Sequence, residues 1–283
     1  MLKSLWLTCR RTCGRGIYLL ISLIVAAGIS VISPAPTIAF SLPELIFRGI
    51  QVIQLSNMSD RQEVTVGQQI NQQLANSEFK IDRDRATTAY INRIGQRLAE
   101  QSTRPDIPYT FQVIDDDNIN AFATMGGFVY VNKGLMAAAD NEAELASVIA
   151  HEIGHITARH AIQQMRQMAI ASGVASATGL DRSRAVQIGV ELALRRPHSR
   201  QAEYEADRLG LETMGRSGYA QSGMVNFMQK LLNKPSPPSI LSTHPATGDR
   251  IAAINQAIDP DLASGEGLNN AAYKLEIRRL LGS

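Results

Sequence analysis

The segment VIAHEIGHITARHA, residues 148–161, sets a glutamate between two histidines in the spacing His151-Glu152-x-x-His155. Residues four apart on a helix lie about 40° apart on one face, so His151 and His155 can aim ring nitrogens at one ion. Glu152 is rotated by about 100° from His151 and cannot easily join them as a ligand. It can instead reach a water held at an open position of that ion. Zinc lowers such a water's pKa to about 7, and a carboxylate beside it can take the proton. Ile149, Ile153 and Ile156 bury the other faces. The chain must therefore build a buried helix that presents two imidazoles to a common point.

Two imidazoles do not complete a site, and the next histidine does not help. His160 stands five residues past His155 and about 180° around a continuing helix from His151, which reads as a surface or packing histidine. A metzincin-type site needs glycine at position 158 and histidine at position 161, where this chain has Ala158 and Ala161. Only His198 and His244 remain as imidazoles, and both cysteines, Cys9 and Cys13, precede the apolar N-terminal segment. A carboxylate is the better third donor, and SRQAEYEADRLGLE (199–212) supplies one. Glu203 and Asp207 share a helical face, with Glu205 on the other side. Glu203 can be the ligand and Asp207 the acceptor behind a ligating imidazole, fixing its tautomer and raising its basicity. Taken without H-E-x-x-H, the same segment is an exposed acidic helix whose carboxylates pair with Arg200 or Arg208.

The N-terminus decides where such an enzyme would work. Lys3, Arg10, Arg11 and Arg15, with no acid among them, lead into IYLLISLIVAAGISVI (17–32) and then SPAPTIAFS. With Ala39 two residues after Thr37, this is the layout of a secretory signal over 1–39, leaving 40–283 as one mature domain. The alternative is an uncleaved anchor, but sixteen apolar-leaning residues fall short of the ~20 that span a bilayer. Export across an inner membrane to a periplasmic or other extracytoplasmic compartment is the expectation, with the chain membrane-anchored if the signal stays. Past the signal, 24 basic residues face 26 acidic ones, which is no nucleic-acid footprint. The mature chain also holds no cysteine for disulfides or thiolate metal sites.

Periodicity predicts a mostly helical α+β fold with a small sheet. Helices are expected over 62–76, 82–101, 141–166, 184–196, 199–215, 221–233, 246–258 and 269–281. Strands are expected over 109–115, with Tyr109, Phe111 and Val113 on one face, and over 126–134. Asn141 and Glu144 have capping-box spacing at the start of the H-E-x-x-H helix. NKPSPPSILSTHP (233–245) is a proline-rich loop before His244.

H-E-x-x-H followed by E-x-E-A-D resembles the gluzincin metalloproteases of family forty-eight, the HtpX-like, BepA-like and CAAX prenyl-protease group. NAFATMGGFVYVNKGLM (120–136) is similar to that family's N-A-F-x-x-x-G-G strand, and STHPATGDRI (242–251) to its T-H-P-x-x-x-x-R-I segment. The resemblance covers about residues 62–258, in the family's order. It implies a zincin-like single domain holding one catalytic Zn2+ through His151, His155 and Glu203, with Glu152 as general base and Asp207 behind a ligand. It places His244 near the metal, steadying the oxyanion or gating access, unless it merely precedes a helix. Arg250 is expected to brace that segment. The substrates implied are polypeptides, unfolded or misassembled envelope proteins among them.

A peptide can add to the 128–132 strand by backbone pairing, with Gly126 leaving room and Gly127, Phe128, Val129 and Tyr130 in contact. The other reading is an internal strand that nothing touches. Residues 161–180 fit a lid, a surface for peripheral membrane association, or plain core packing. Against the protease stands a non-proteolytic, chaperone-like or binding module with structural zinc, which would need no Glu152. A third reading is a latent protease, its open metal position blocked by His244 or the proline-rich loop.

Overall fold

The computed structural model describes residues 52–53, 55–171, 180–195 and 197–282, all within one compact unit, Gln51–Ser283. The expected signal over 1–39 lies outside the described residues, as does 172–179 of the 161–180 segment. In chain order the elements are β1 (Val52–Ile53), α1 (Asp60–Ser77), α2 (Arg85–Ala99), β2 (Thr110–Ile114), β3 (Ala121–Thr124), β4 (Phe128–Asn132), α3 (Lys133–Ala138) and α4 (Glu142–Thr157). Then follow α5 (His160–Ala171), β5 (Leu180–Asp181), α6 (Arg182–Arg195), α7 (Arg200–Arg216), α8 (Ser222–Leu232), α9 (Ile240–Thr243), α10 (Gly248–Ala257) and α11 (Asn270–Leu281). The fold is mostly helical around a small sheet, as the periodicity predicts.

The sheet has the order β2-β4-β3, with β2 parallel and β3 antiparallel to β4. Alternation divides its side chains between two cores. Phe111, Val113, Val129 and Val131 pack with α2 and α4, and Phe122, Phe128 and Tyr130 pack with α1, α5 and α6. The central place of β4 corrects one expectation. Both its edges are already paired and all five of its residues are buried, so Phe128, Val129 and Tyr130 cannot receive a substrate strand. Gly127, whose carbonyl accepts from Thr110 N at 2.9 Å, is equally committed. Gly126 and Gly127 (φ 79° and 95°) instead make the tight turn joining β3 to β4, in the left-handed region that glycine enters without a Cβ clash.

Helix α4 runs through the interior, buried from Ala143 to Ile156, as expected of a helix apolar on all sides. Its start is capped as the sequence predicts in part. Asn141 Oδ1 accepts from Glu144 N at 3.0 Å, while the Glu144 carboxylate turns back to Asp140 N at 2.8 Å, one residue earlier than a capping box would have it.

Its end differs from the expected single helix to 166. The helix stops at Thr157, Arg159 adopts φ 58°, and α5 begins at His160. A left-handed non-glycine residue costs about 1–2 kcal/mol, and a half-buried ionic network centred on the buried Glu63 holds it. Arg159 Nε reaches Glu63 Oε2 at 3.0 Å and Nη2 reaches Met58 O at 2.6 Å, while Arg104 Nη1 donates to Ile156 O at 3.0 Å. Glu63 also pairs with Arg104 at 2.8 Å. Two arginines thus share the Glu63 carboxylate at the kink, and α1 is tied to it.

Helix α7 lies directly against α4. A Cβ on Gly154 would meet Ala206 O at 2.7 Å, and one on Gly210 would meet His151 N at 3.0 Å. Glycine at these two positions lets the backbones approach, and this brings the carboxylates of α7 to the histidines of α4.

Candidate metal centre

His151 and His155 share the face of α4 that meets α7, where Glu203 and Asp207 stand one turn apart. His155 Nε2 lies 3.1 Å from His151 Nε2 and 3.3 Å from Glu203 Oε1, and Glu203 Oε2 lies 3.6 Å from His151 Nε2. His244, the residue that ends α9, brings Nδ1 to 3.3 Å from His151 Nε2 and 3.1 Å from Glu203 Oε1. One donor atom from each of His151, His155, Glu203 and His244 falls within 4.8 Å of the others, and all four residues are buried. Glu152 is buried beside them. Its Oε1 makes no hydrogen bond and lies 3.5 Å from His244 Nε2.

Behind the donors stands a rigid acidic and basic frame. Asp207 Oδ1 lies 3.0 Å from His151 Nδ1, so the other ring nitrogen faces the cluster. Arg250 grips Asp207 through Nε and Nη2 at 2.7 and 2.6 Å, reaches Glu203 Oε2 through Nη1 at 2.6 Å, and donates to Pro245 O at 2.8 Å. It braces the segment after His244, as expected, and neutralises two buried carboxylates that would otherwise repel.

The electrostatics follow from crowding imidazoles among carboxylates. Burial pulls His151 down, but hydrogen bonds with Asp207 and Glu203 outweigh it and hold the ring up at about 10. Burial and then the neighbouring His198 push His155 well below its ordinary value. Burial works against the Glu203 and Asp207 carboxylates, yet hydrogen bonds from His151 and, for Asp207, Arg250 hold both below theirs.

Two further residues belong to the neighbourhood. His198, half-buried just before α7, stacks on His155 with ring centroids 3.9 Å apart and on His244 at 5.0 Å. Burial first, then His244, takes it down to about 3. His160 was expected to point away. The kink at Arg159 turns it inward instead, fully buried, with Nδ1 2.8 Å from His155 Nδ1. All five histidines of the chain thus stand together. The signal for His198 was its place immediately before Ser199, the N-cap of the helix bearing Glu203; nothing local announced the kink.

Of the cavities lined by cluster residues, two reach His244. An apolar cavity of about 50 Å³ beside His151 and His244 is lined by Val148, Met224, Phe227, Met228, Leu231 and Ile240. A smaller one of about 20 Å³ runs along Phe122–Met125, at the edge of β3, to His198 and His244.

The family model for peptidase family M48 matches residues 85–258, which contain every residue of this cluster. A beta-barrel assembly-enhancing protease of Escherichia coli (strain K12) is 36% identical over 220 residues, covering 71% of this chain and 45% of that protein. The metalloprotease LoiP of the same strain is 28% identical over 236 residues, 77% of this chain and 88% of LoiP. A mitochondrial metalloendopeptidase of Schizosaccharomyces pombe is 30% identical over 179 residues, 60% and 52% of the two chains. The chain spans less than half the length of the beta-barrel assembly-enhancing proteases it matches. With a buried histidine and carboxylate cluster at the position the family's motifs mark, the chain belongs to peptidase family M48.

Proposed function

We propose that this chain is a metalloendopeptidase that uses one zinc ion and acts outside the cytoplasm on unfolded or misassembled envelope proteins. The observation that carries the metal is the spacing of the donors. A tetrahedral ion with bonds of about 2.05 Å sets its ligand atoms roughly 3.3 Å apart, and the donor pairs named above lie 3.1–3.6 Å apart. Imidazoles with a carboxylate form one of the donor sets of catalytic zinc. His151, His155 and Glu203 would hold it.

When bound, zinc would polarise the scissile carbonyl and acidify the attacking water. The chain's own residues do the rest. Glu152 takes a proton from that water and returns it to the leaving amine. Asp207, clamped by Arg250, keeps His151 in the tautomer that presents Nε2. His244 fills the fourth donor position, which supports a latent resting form: it must swing aside before water and substrate can enter.

The free edge of β3, rather than β4, is the place for a substrate backbone, because β3 pairs only with β4 among the described residues and its rim opens toward His198 and His244. The apolar cavity beside His151 would take a large apolar side chain next to the scissile bond, the kind an unfolded protein exposes. That the Escherichia coli relative is a beta-barrel assembly-enhancing protease supports envelope-protein substrates. No helix among the described residues is long and apolar enough to cross a membrane.

The test is cleavage of casein by wild type and Glu152→Gln, with zinc content measured in both. Both should bind zinc, and the variant should lose 10²–10⁴-fold in rate. If both bind zinc and neither cleaves any unfolded substrate, the binding-module reading replaces this one.

A further inference from the structure

The structure gives the two histidines of the H-E-x-x-H motif unlike partners. Behind His151 stands a buried carboxylate, Asp207, at 3.0 Å. Behind His155 stands another imidazole: His155 Nδ1 and His160 Nδ1 are 2.8 Å apart, and His160 Nε2 lies 3.3 Å from Glu205 Oε2. His160 is fully buried, whereas the Glu205 side chain is 44% exposed. We infer that His160, backed by Glu205, is a positioning residue that fixes the tautomer and the ring orientation of His155 and thereby sets metal affinity. The inference rests on the reading of His155 as a zinc ligand.

The hydrogen-bond chain admits one arrangement of protons. His155 Nε2 faces His151 and Glu203, so as a ligand it must be bare and the His155 proton must sit on Nδ1. His160 Nδ1 is within reach to accept it, which leaves the proton of His160 on Nε2, pointing at the Glu205 carboxylate. Each donor in the chain then meets an acceptor. A ligand imidazole without such a partner would keep an unsatisfied N–H in the interior, or turn its ring to find one.

The backbone is bent to make this contact. On an uninterrupted helix His160 would lie about 140° around the axis from His155 and could not touch it. The left-handed Arg159 (φ 58°) breaks the helix and redirects His160 inward. Arg159 itself is held by Glu63 and Met58 O. A strained residue pinned by its side chain, immediately before a buried imidazole that touches the donor cluster, is the kind of outlier that marks a functional constraint. Glu205, on the face of α7 away from Glu203, gains a reason to be there.

The experiment measures zinc affinity by competition with a chromophoric chelator for wild type, His160→Leu, His160→Asn and Glu205→Ala. Melting temperatures of the metal-free proteins report folding. His160→Leu keeps bulk but no acceptor and should bind zinc 10–100-fold more weakly, and kcat on casein should fall with KM little changed. His160→Asn can offer Oδ1 near the place of Nδ1 and should recover most of the affinity. Glu205→Ala, at a half-exposed position, should weaken binding by about two- to fivefold, less than the direct partner. Zinc affinity in His160→Leu equal to wild type overturns the inference. So does an equal loss in the Leu and Asn variants that tracks melting temperature, because that is packing alone. If His160→Leu does not fold, unchanged affinity in Glu205→Ala decides against it. Wild type that binds no zinc would overturn both this inference and the metal reading beneath it.

Discussion

Arg250 shows how much one side chain carries here. It is 3% exposed and contacts Glu203, Asp207 and the backbone of Pro245. Arg250→Met removes the guanidinium that pairs with both buried carboxylates and should destabilise the protein by about 3–5 kcal/mol, measured by urea unfolding of the metal-free protein. A loss below about 1 kcal/mol would mean the histidines alone neutralise the pair. His244→Ala tests the latent form: casein cleavage should rise severalfold, and a fall would return His244 to the oxyanion role. At this scale helical spacing alone pairs His151 with His155 and Glu203 with Asp207, each pair on one face, and sets Glu152 about 100° from His151. The sequence hid His160 because one residue, Arg159, leaves the helical region, and the Glu63 and Met58 contacts that hold it there come from about 100 residues earlier in the chain. His198 was hidden for a different reason: it sits on a loop, where no periodicity indicates direction.

Between elements, the decisive contact is α4 against α7 through Gly154 and Gly210. Gly154→Ala forces a methyl group toward Ala206 O, a backbone atom next to Asp207 that cannot simply rotate away. About 1–3 kcal/mol of stability should be lost to overpacking, together with zinc affinity, since the donors of the two helices move apart. Retained affinity in a destabilised variant would show that the donors do not depend on this spacing. The apolar cavity gives a second test at this scale. Ala246→Phe, on its wall, should shift cleavage of a peptide mixture away from large apolar residues beside the scissile bond toward small ones; an unchanged profile would place substrate side chains elsewhere. Apart from the break after Thr157 and the short helices α3 and α9, the helices were legible to within a few residues because caps such as Ser59, Asp84, Asn141, Ser199 and Thr247 act locally. Strand β3 was missed as a separate strand, since four residues, AFAT, are too few for alternation to register. That β4 lies between two strands is a fact of pairing, which no single segment contains.

For the molecule as a unit, metal and folding are coupled. A ligand that binds only the folded state stabilises it by about 2.7 kcal/mol at a concentration 100 times its Kd. Removal of zinc with a chelator should therefore lower the melting temperature by roughly 5–10 °C for a chain of this size, and zinc should restore it; no change would argue against a bound ion at this site. Far from the cluster, Glu142 ties α2 to α4 and to the turn before α8, accepting from Tyr90 at 2.8 Å, Tyr219 at 2.9 Å and Arg93 at 2.9 and 3.2 Å. Burial opposes its charge, but Arg93 and the two tyrosines outweigh burial and hold the carboxyl below its ordinary 4.5. A depressed carboxyl contributes stability that is present above about pH 4.5 and disappears as pH falls through the lowered value. Glu142→Gln should thus be less stable than wild type at pH 7, with the gap closing below pH 4.5 in urea titrations; a gap independent of pH would show that only shape matters there. The gathering of all five histidines into a single cluster has a practical corollary. Imidazole resonances in a nuclear magnetic resonance spectrum, or histidine-directed chemical modification, report on this centre and nothing else, so the unlabelled native chain carries its own spectroscopic reporter of metal loading, gating and the bend at Arg159.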